Sequence, residues 1–242
     1  MIPKTIHYCW FGGAPKPKLA ERCIASWRKY FPDYEIREWN ERNFDVDAIP
    51  YTRDAYAAGK FAYVSDYARF WVLYHHGGLY FDTDVEAVRD MADIVAHGAF
   101  MGWGRPDVRG VSSVEPGLGL GAEPGMELYR EILVRYASLN LYDAEGRLSP
   151  YTMIPMLTDM FTAQGLHCDG TRQVLGGVTI YPAEFFCPMD PQTGRIELTD
   201  NTRTIHRYTM SWLSPQQRIR AMLMRWVRRL ASLRGDNAGT QK

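Results

Sequence analysis

The sequence predicts an α/β fold, a sheet with crossover connections, and three observations carry that reading. The chain opens strand–helix–strand, which is how a parallel sheet begins. Phe61 to His76 lacks Gly and Pro and is apolar nearly all round, the pattern of a buried helix. Gly77-Gly78 then stops that helix, and a short apolar strand, Leu79-Tyr80-Phe81, runs straight into Asp82-Thr83-Asp84.

The elements follow in order. Thr5 to Phe11 is rich in β-branched and aromatic residues and closes on Gly12-Gly13, so it reads as a strand and turn. Ala20, Cys23, Ile24 and Trp27 fall at helical spacing, and Pro32-Asp33 ends that helix. Tyr34 to Trp39 alternates as a second strand. In the 61–76 helix, Phe61, Val64, Ala68, Trp71 and Val72 share one side, while Tyr67, Phe70, Leu73 and Tyr74 cover much of the rest. Phe100 to Trp103 is expected to be a strand, and Gly117 to Gly121 a glycine-rich stretch whose glycines either let backbone approach the substrate or only make a loop. Helices are expected at Met126–Ala137 and Thr152–Gln164, and short strands near Val178–Tyr181 and Arg203–Tyr208. Ser214-Pro215 has the form of an N-cap with proline at the first helical position, and the helix it starts would reach Leu233.

Composition narrows the function classes. The chain has 242 residues, 46% hydrophobic and 23% charged, which excludes a disordered or fibrous chain. The 28 Lys+Arg residues balance 28 Asp+Glu, against the basic excess expected of a nucleic-acid binder, so no nucleic-acid partner is expected. No apolar run has the length of a membrane span. Met1-Ile2-Pro3-Lys4-Thr5 lacks an apolar signal region, and Cys9, Cys23, Cys168 and Cys187 lack metal-site spacing. A cytoplasmic protein with reduced thiols is the expectation. The balance hides an asymmetry: residues 214–242 hold seven basic residues and one acidic, leaving 21 basic and 27 acidic in the other 213. We therefore expect a main domain over 1–213 and a basic amphipathic helix and tail over 214–242.

The chemistry concentrates on four residues. Asp82 and Asp84 stand where an apolar strand reaches the open edge of the sheet, the place where α/β folds bind ligands. Hard divalent cations such as Mn²⁺ and Mg²⁺ are held by one or two carboxylates together with ligand phosphates. Asp66 and Arg69 lie three apart on one face of the buried helix. Burying both charges costs more than their attraction returns unless further polar partners satisfy them, and a hydroxyl-rich ligand would be such a partner.

Longer blocks surround these residues. They are Ile2-Pro3-Lys4-Thr5-Ile6-His7, Trp10-Phe11-Gly12-Gly13, Ser26-Trp27, Pro32-Asp33-Tyr34-Glu35-Ile36 and Trp39-Asn40. The central blocks are Phe61-Ala62, Ser65-Asp66-Tyr67-Ala68-Arg69 and Gly77 through Val85, and Tyr181-Pro182, Phe185-Phe186, Pro188, Ile205-His206 and Ser211-Trp212-Leu213 follow. In this order they resemble the DxD-containing glycosyltransferase family 32. That family comprises capsule, lipopolysaccharide and mannosyltransferase-like sugar transferases, and is distantly similar to the glucosylating domains of large clostridial toxins. The resemblance implies a GT-A fold, a single Rossmann-like domain with a mixed central sheet. It implies a nucleotide-sugar donor, either UDP- or GDP-linked, Mn²⁺ or Mg²⁺ as cofactor, and retention at the anomeric carbon.

By the same resemblance Trp10 matches the aromatic that stacks on the nucleobase. Asp66 and Arg69 match the pair that grips the donor sugar, with Ser65 and Tyr80 on the ribose and base side. Asp82 and Asp84 match the metal and diphosphate ligands, Asp84 binding directly and His206 completing the shell. Ser211 and Trp212 match the pair that reaches the donor diphosphate. Catalysis would run through the metal, with no general base assigned. The chain departs from the family where Ser149-Pro150 replaces a frequent Gly-Pro near the acceptor side.

The implied partner is a glycan acceptor, lipid-linked if the C-terminal helix meets a membrane, with a role in bacterial surface polysaccharide synthesis. In that helix Ile219, Met222, Leu223, Trp226, Leu230 and Leu233 form an apolar stripe flanked by Arg218, Arg220, Arg225, Arg228 and Arg229. Such a helix either lies on an anionic membrane surface, the inner face of the cytoplasmic membrane, or packs on the domain with its basic face in water. Two other classes compete. A phosphatase with an aspartyl nucleophile also places DxD after an apolar strand, but the residue two past its second Asp is usually Thr or Val, and here it is Glu86. An inactive carbohydrate- or nucleotide-sugar-binding protein on the same fold would be expected to have lost Asp66, Arg69, Asp82 or Asp84, and all four are present.

Overall fold

The computed structural model describes residues 1–107, 109–149, 151–209, 216–217, 219–225 and 228. It is an α/β fold whose central sheet has seven strands in the order β2-β1-β3-β6-β5-β8-β7. These are β1 (Thr5–Cys9), β2 (Glu35–Trp39), β3 (Gly78–Tyr80), β5 (Phe100–Gly102), β6 (Leu120–Ala122), β7 (Gln173–Leu175) and β8 (Val178–Tyr181). β1 runs parallel to β2 and β3; β6 is antiparallel to β3 and β5; β8 is parallel to β5 and antiparallel to β7. The expected mixed sheet is therefore present. A second, two-stranded sheet pairs β4 (Val85–Ala87) with β9 (Thr204–His206).

The connections create a crevice. From β1 the chain passes through α1 (Lys18–Tyr30) to β2 on one side. It then returns through α2 (Pro50–Ala57) and α3 (Phe61–His76) to β3 on the other side of β1. Connections leaving one strand in opposite directions part at its carboxyl end, and ligands of open α/β sheets bind there. Trp10 follows β1 and Asp82 follows β3, so both stand at this edge.

Each face of the sheet has its own core. Ile6, Tyr8, Leu79 and Phe81 pack with Cys23, Ile24 and Trp27 of α1 on one face. Cys9 and Tyr80 pack with α3 and with α5 (Glu127–Ala137) and α6 (Met153–Ala163) on the other. Successive strand residues point to opposite faces, which divides them this way. α3 has the bounds its apolar pattern predicts, with His75 and His76 exposed at its end, and Gly77 terminates it at φ 64°. A side chain rarely adopts that conformation. His7 ties these layers together: its Nδ1 accepts from the Trp39 indole N–H at 3.0 Å, so Nε2 carries the proton given to the Gly77 carbonyl, also at 3.0 Å.

Several expectations shift in detail. The first strand ends at Cys9 instead of Phe11, and β3 spans Gly78–Tyr80 instead of residues 79–81. The glycine-rich stretch is more than a loop: Pro116–Leu118 form a 3-10 turn and Leu120–Ala122 become a central strand, β6. Gly121 is needed there because a Cβ would run into the Phe100 ring of β5. The short helices α4 (Ala92–Ala96) and α7 (Ala183–Phe186), like α2, β4 and β7, were not expected. The four cysteines are free, and Cys9, Cys23 and Cys187 are buried.

Of the C-terminal segment, residues 216–217, 219–225 and 228 are helical. Arg225 donates to the Pro191 carbonyl at 3.1 Å and lies against Gly194, so its side of the helix meets the domain. Ile219, Met222 and Leu223 are nonetheless 56%, 57% and 59% exposed. Among the described residues, then, the apolar stripe does not pack on the domain. Trp226, Leu230 and Leu233 lie outside the described residues. Among the described residues no helix is long and apolar enough to cross a membrane.

Candidate active site

The sheet geometry explains why Asp82 meets α3. Tyr80 and Asp82 are two apart on an extended chain, so both point to the α3 face. Arg69, 3% exposed, reaches down from α3 to them. Its Nη2 contacts Asp66 at 2.9 Å and Asp82 at 3.2 Å, and its Nε donates to the Ser65 carbonyl at 3.1 Å. The guanidinium lies 5.1 Å from the Tyr80 ring centroid, and the Tyr80 hydroxyl donates to Asp82 at 3.1 Å. Arg69 Nη1 is buried with no partner. It points toward Gly117, where a Cβ would stand 3.4 Å from Nη1 and 2.4 Å from Asp82 Oδ2. Glycine there keeps space open beside the carboxylate.

The second carboxylate is held by different partners. Trp27 donates its indole N–H to Val85 O at 2.8 Å, and the Ser26 hydroxyl accepts from Ala87 N at 2.9 Å. α1 thus pins β4 directly after Asp84. Strand β9 pairs Val85 with His206, and His206 Nε2 lies 3.1 Å from Asp84 Oδ1. The other oxygen, Oδ2, accepts from both the N–H and the hydroxyl of Thr209 at 2.8 Å. The Asp84 carbonyl accepts from Arg207 N at 2.9 Å.

Asp82, Asp84 and His206 each offer one ligand atom, all within 4.8 Å of one another. Two carboxylates suit Mn²⁺ and Mg²⁺, and the added imidazole favours Mn²⁺, the transition metal of the two. Adjacent ligands of an octahedral ion held at about 2.1 Å lie about 3 Å apart, the separation found between Asp84 and His206. Charge points the same way. Asp66, Asp82, Asp84 and Glu115 converge here, with Arg69 the buried cation among them. Burial pushes the Asp66 carboxyl up to about 6 despite Arg69. It raises Asp82 too, with Arg69 opposing and Asp84 adding to the rise. Burial also raises Glu115, against the pull of His206 and the Tyr208 hydrogen bond. For Asp84 burial is outweighed by His206 and Thr209, which hold it well below the usual carboxylate range. His206 is raised above its ordinary value: burial opposes this most strongly, but Asp84, Asp82 and Glu115 together outweigh it. A bound cation would relieve these crowded carboxylates.

The remaining expected site residues divide. Ser65 is half-buried beside Asp66, its hydroxyl given to the Phe61 carbonyl at 3.1 Å. Tyr80 is buried beneath Arg69 and reaches the crevice through Asp82. Trp10 is half-buried at the end of β1, its indole N–H given to the Ala14 carbonyl at 2.6 Å. Ser211 and Trp212 lie outside the described residues. Sequence reasoning missed Glu115, Tyr208 and Thr209. A faint signal existed for one: Thr209 sits three residues past His206, close enough to reach the same ligand.

Residues 17–101 match the family described as glycosyltransferase sugar-binding region containing DXD motif. A 109-residue segment is 29% identical to an uncharacterized glycosyltransferase of Acanthamoeba polyphaga mimivirus, covering 41% of this chain and 42% of that protein. An 88-residue segment is 35% identical to inositol phosphoceramide mannosyltransferase 2 of Schizosaccharomyces pombe, covering 35% of this chain and 25% of that protein. The chain therefore spans less than half the length of these relatives. Among solved structures it is similar to the PaToxG glycosyltransferase, with a TM-score of 0.45 and 16% identity over 68% of this chain and 72% of the other. The family match thus falls on the region that the sequence reading singled out, and Asp82-Thr83-Asp84 lies within the matched segment.

Proposed function

We propose that this protein is a metal-dependent, retaining glycosyltransferase of GT-A type that moves a sugar from a UDP- or GDP-linked donor to a glycan acceptor. The observation that carries the reading is that Asp82 and Asp84, which lie with the Arg69–Asp66 pair inside the matched DXD region, are met there by His206 from outside it. Asp84 and His206, with Asp82, would hold Mn²⁺ or Mg²⁺. That ion would supply Lewis-acid stabilisation of the departing diphosphate.

The chain's own residues do the rest. Asp66 accepts donor sugar hydroxyls, and its charge is balanced by Arg69 so that the sugar does not face a bare buried carboxylate. Arg69 Nη1, buried and unpaired, offers a fixed donor toward the crevice. Tyr80 holds Asp82 in place from below. Trp10 presents an aromatic face to the base at the end of β1, and Ser65 lies on the ribose side. Ser211 and Trp212 follow the Thr209 contact in sequence, in keeping with a reach to the diphosphate. The acceptor hydroxyl attacks from the face that the diphosphate leaves: its oxygen bonds to the anomeric carbon as the sugar–phosphate bond breaks, and its proton passes to the departing diphosphate, so no enzyme nucleophile is needed and we assign no general base.

The unit performing this chemistry is residues 1–213. Residues 214–242 serve as a peripheral anchor on an anionic membrane surface, for a cytoplasmic enzyme acting on a lipid-linked acceptor in surface polysaccharide synthesis. The outward stripe of Ile219, Met222 and Leu223 and the segment's basic excess support that role. The mannosyltransferase relative, whose name specifies a ceramide lipid, is in keeping with it.

Calorimetry with UDP and GDP, in Mn²⁺ and then in EDTA, tests the donor site. One nucleotide should bind, and only with metal; no binding of either would refute the assignment. Flotation with vesicles containing or lacking phosphatidylglycerol tests the anchor. The chain should float only with the anionic vesicles, and a failure to do so would remove the membrane role without touching the donor site.

A further inference from the structure

Four contacts on Asp84 and its carbonyl come from one four-residue segment: His206 Nε2, Arg207 N, and the N–H and hydroxyl of Thr209. For the chain to wrap Asp84 so closely, Tyr208 adopts φ 47°, the left-handed region. It is the one non-glycine residue there among the described residues. An L side chain resists that conformation, and a bulky one adopts it only when surrounding contacts dictate it.

Those contacts are present. The Tyr208 hydroxyl donates to Glu115 Oε2 at 3.3 Å and stands 2.8 Å from Cys187 Sγ. Its ring packs on the His206 imidazole, with centroids 4.1 Å apart. Glu115 in turn needs Gly104, where any Cβ would overlap its carboxylate. It also stands two residues before Gly117, which leaves the space beside Asp82. One short loop therefore supports one ligand of the cluster and makes room for another.

We infer that Tyr208, anchored by Glu115, is a positioning residue that sets the His206 ring and the Thr209 contacts of Asp84 for metal binding. The inference rests on the metal-site reading above. Ligand orientation by such outer partners commonly changes metal affinity 10- to 100-fold. Tyr208→Phe deletes only the hydroxyl anchor and keeps the ring, while Glu115→Gln keeps the shape and removes the charge.

The test is Mn²⁺ titration of the metal-free, full-length protein, followed by the electron paramagnetic resonance signal of free Mn²⁺, with a thermal melt of each metal-free variant alongside. Wild type should bind one Mn²⁺. Tyr208→Phe should bind it roughly tenfold or more weakly, and Glu115→Gln should weaken it in the same direction. Wild-type affinity in both variants overturns the inference, even if their melting temperatures fall, since that is what a merely structural residue would do. If Tyr208→Phe does not fold, Glu115→Gln decides alone by the same criterion. A wild-type protein that binds no Mn²⁺ overturns the site reading and this inference together, an outcome distinct from tight binding by every variant.

Discussion

A single methyl group at Gly117 would test the carboxylate arrangement. The Cβ of Gly117→Ala would stand 2.4 Å from Asp82 Oδ2, so the carboxylate or the 116–118 turn must yield by roughly 1 Å to restore contact distance. Asp82 cannot swing freely, because Oδ1 is held by Arg69 at 3.2 Å and Tyr80 at 3.1 Å. The turn cannot retreat freely, because Pro116, Gly117 and Leu118 are buried. Overpacking of this kind costs about 1–3 kcal/mol, a fall in melting temperature of about 2–12 °C for a chain of this size. A reacting group displaced by about 1 Å can lose about 100-fold in rate. Gly117→Ala should therefore fold, melt several degrees lower, and lose about 10- to 100-fold in Mn²⁺ affinity and in donor turnover. Calorimetric Mn²⁺ titration and a thermal melt measure both parts. Wild-type metal affinity in a folded Gly117→Ala would refute the packing of Gly117 against a metal-ligating Asp82.

Two further perturbations probe the framework. Arg69→Met leaves Asp66 and Asp82 buried without their cation, and should cost about 3–5 kcal/mol in urea unfolding; a loss under about 1 kcal/mol would mean the pair is solvated. His7 is lowered to about 4, chiefly by burial, so the unfolded chain takes up its proton first as pH falls. Its contribution is fully present above about 6.5 and is lost between there and about 4, roughly 3 kcal/mol in all. The stability difference between wild type and His7→Gln, measured by urea unfolding from pH 7 to 4, should change by about that amount, and a pH-independent difference would contradict the buried neutral imidazole.

Local pattern carried α3, whose apolar residues and glycine stop define both ends, and with it the three-residue spacing that joins Asp66 to Arg69. It also carried the pairing of β1 and β2 and the place of the DxD at a strand end. It could not carry β6, because Leu120-Gly121-Ala122 lacks β-branched residues and is a strand only because β3 and β5 flank it. The same limit hid the supports of the site. Thr209 meets Asp84 across 125 residues of sequence, and Tyr208 meets Glu115 across 93, contacts fixed by sheet register and by no local periodicity. The orientation of the C-terminal stripe likewise depended on where Arg225 lands, against Pro191 and Gly194.

Release of nucleoside diphosphate from a panel of UDP- and GDP-sugars, in Mn²⁺ or EDTA, beside Asp84→Asn, tests the metal-dependent transfer most directly. The geometry predicts slow release from one donor, abolished by EDTA and by the variant, since Asp84 meets His206 through one oxygen and Thr209 through the other. Release that persists in EDTA or in Asp84→Asn would contradict it, and silence across the panel without metal-dependent nucleotide binding would leave a sugar-binding protein on a transferase fold.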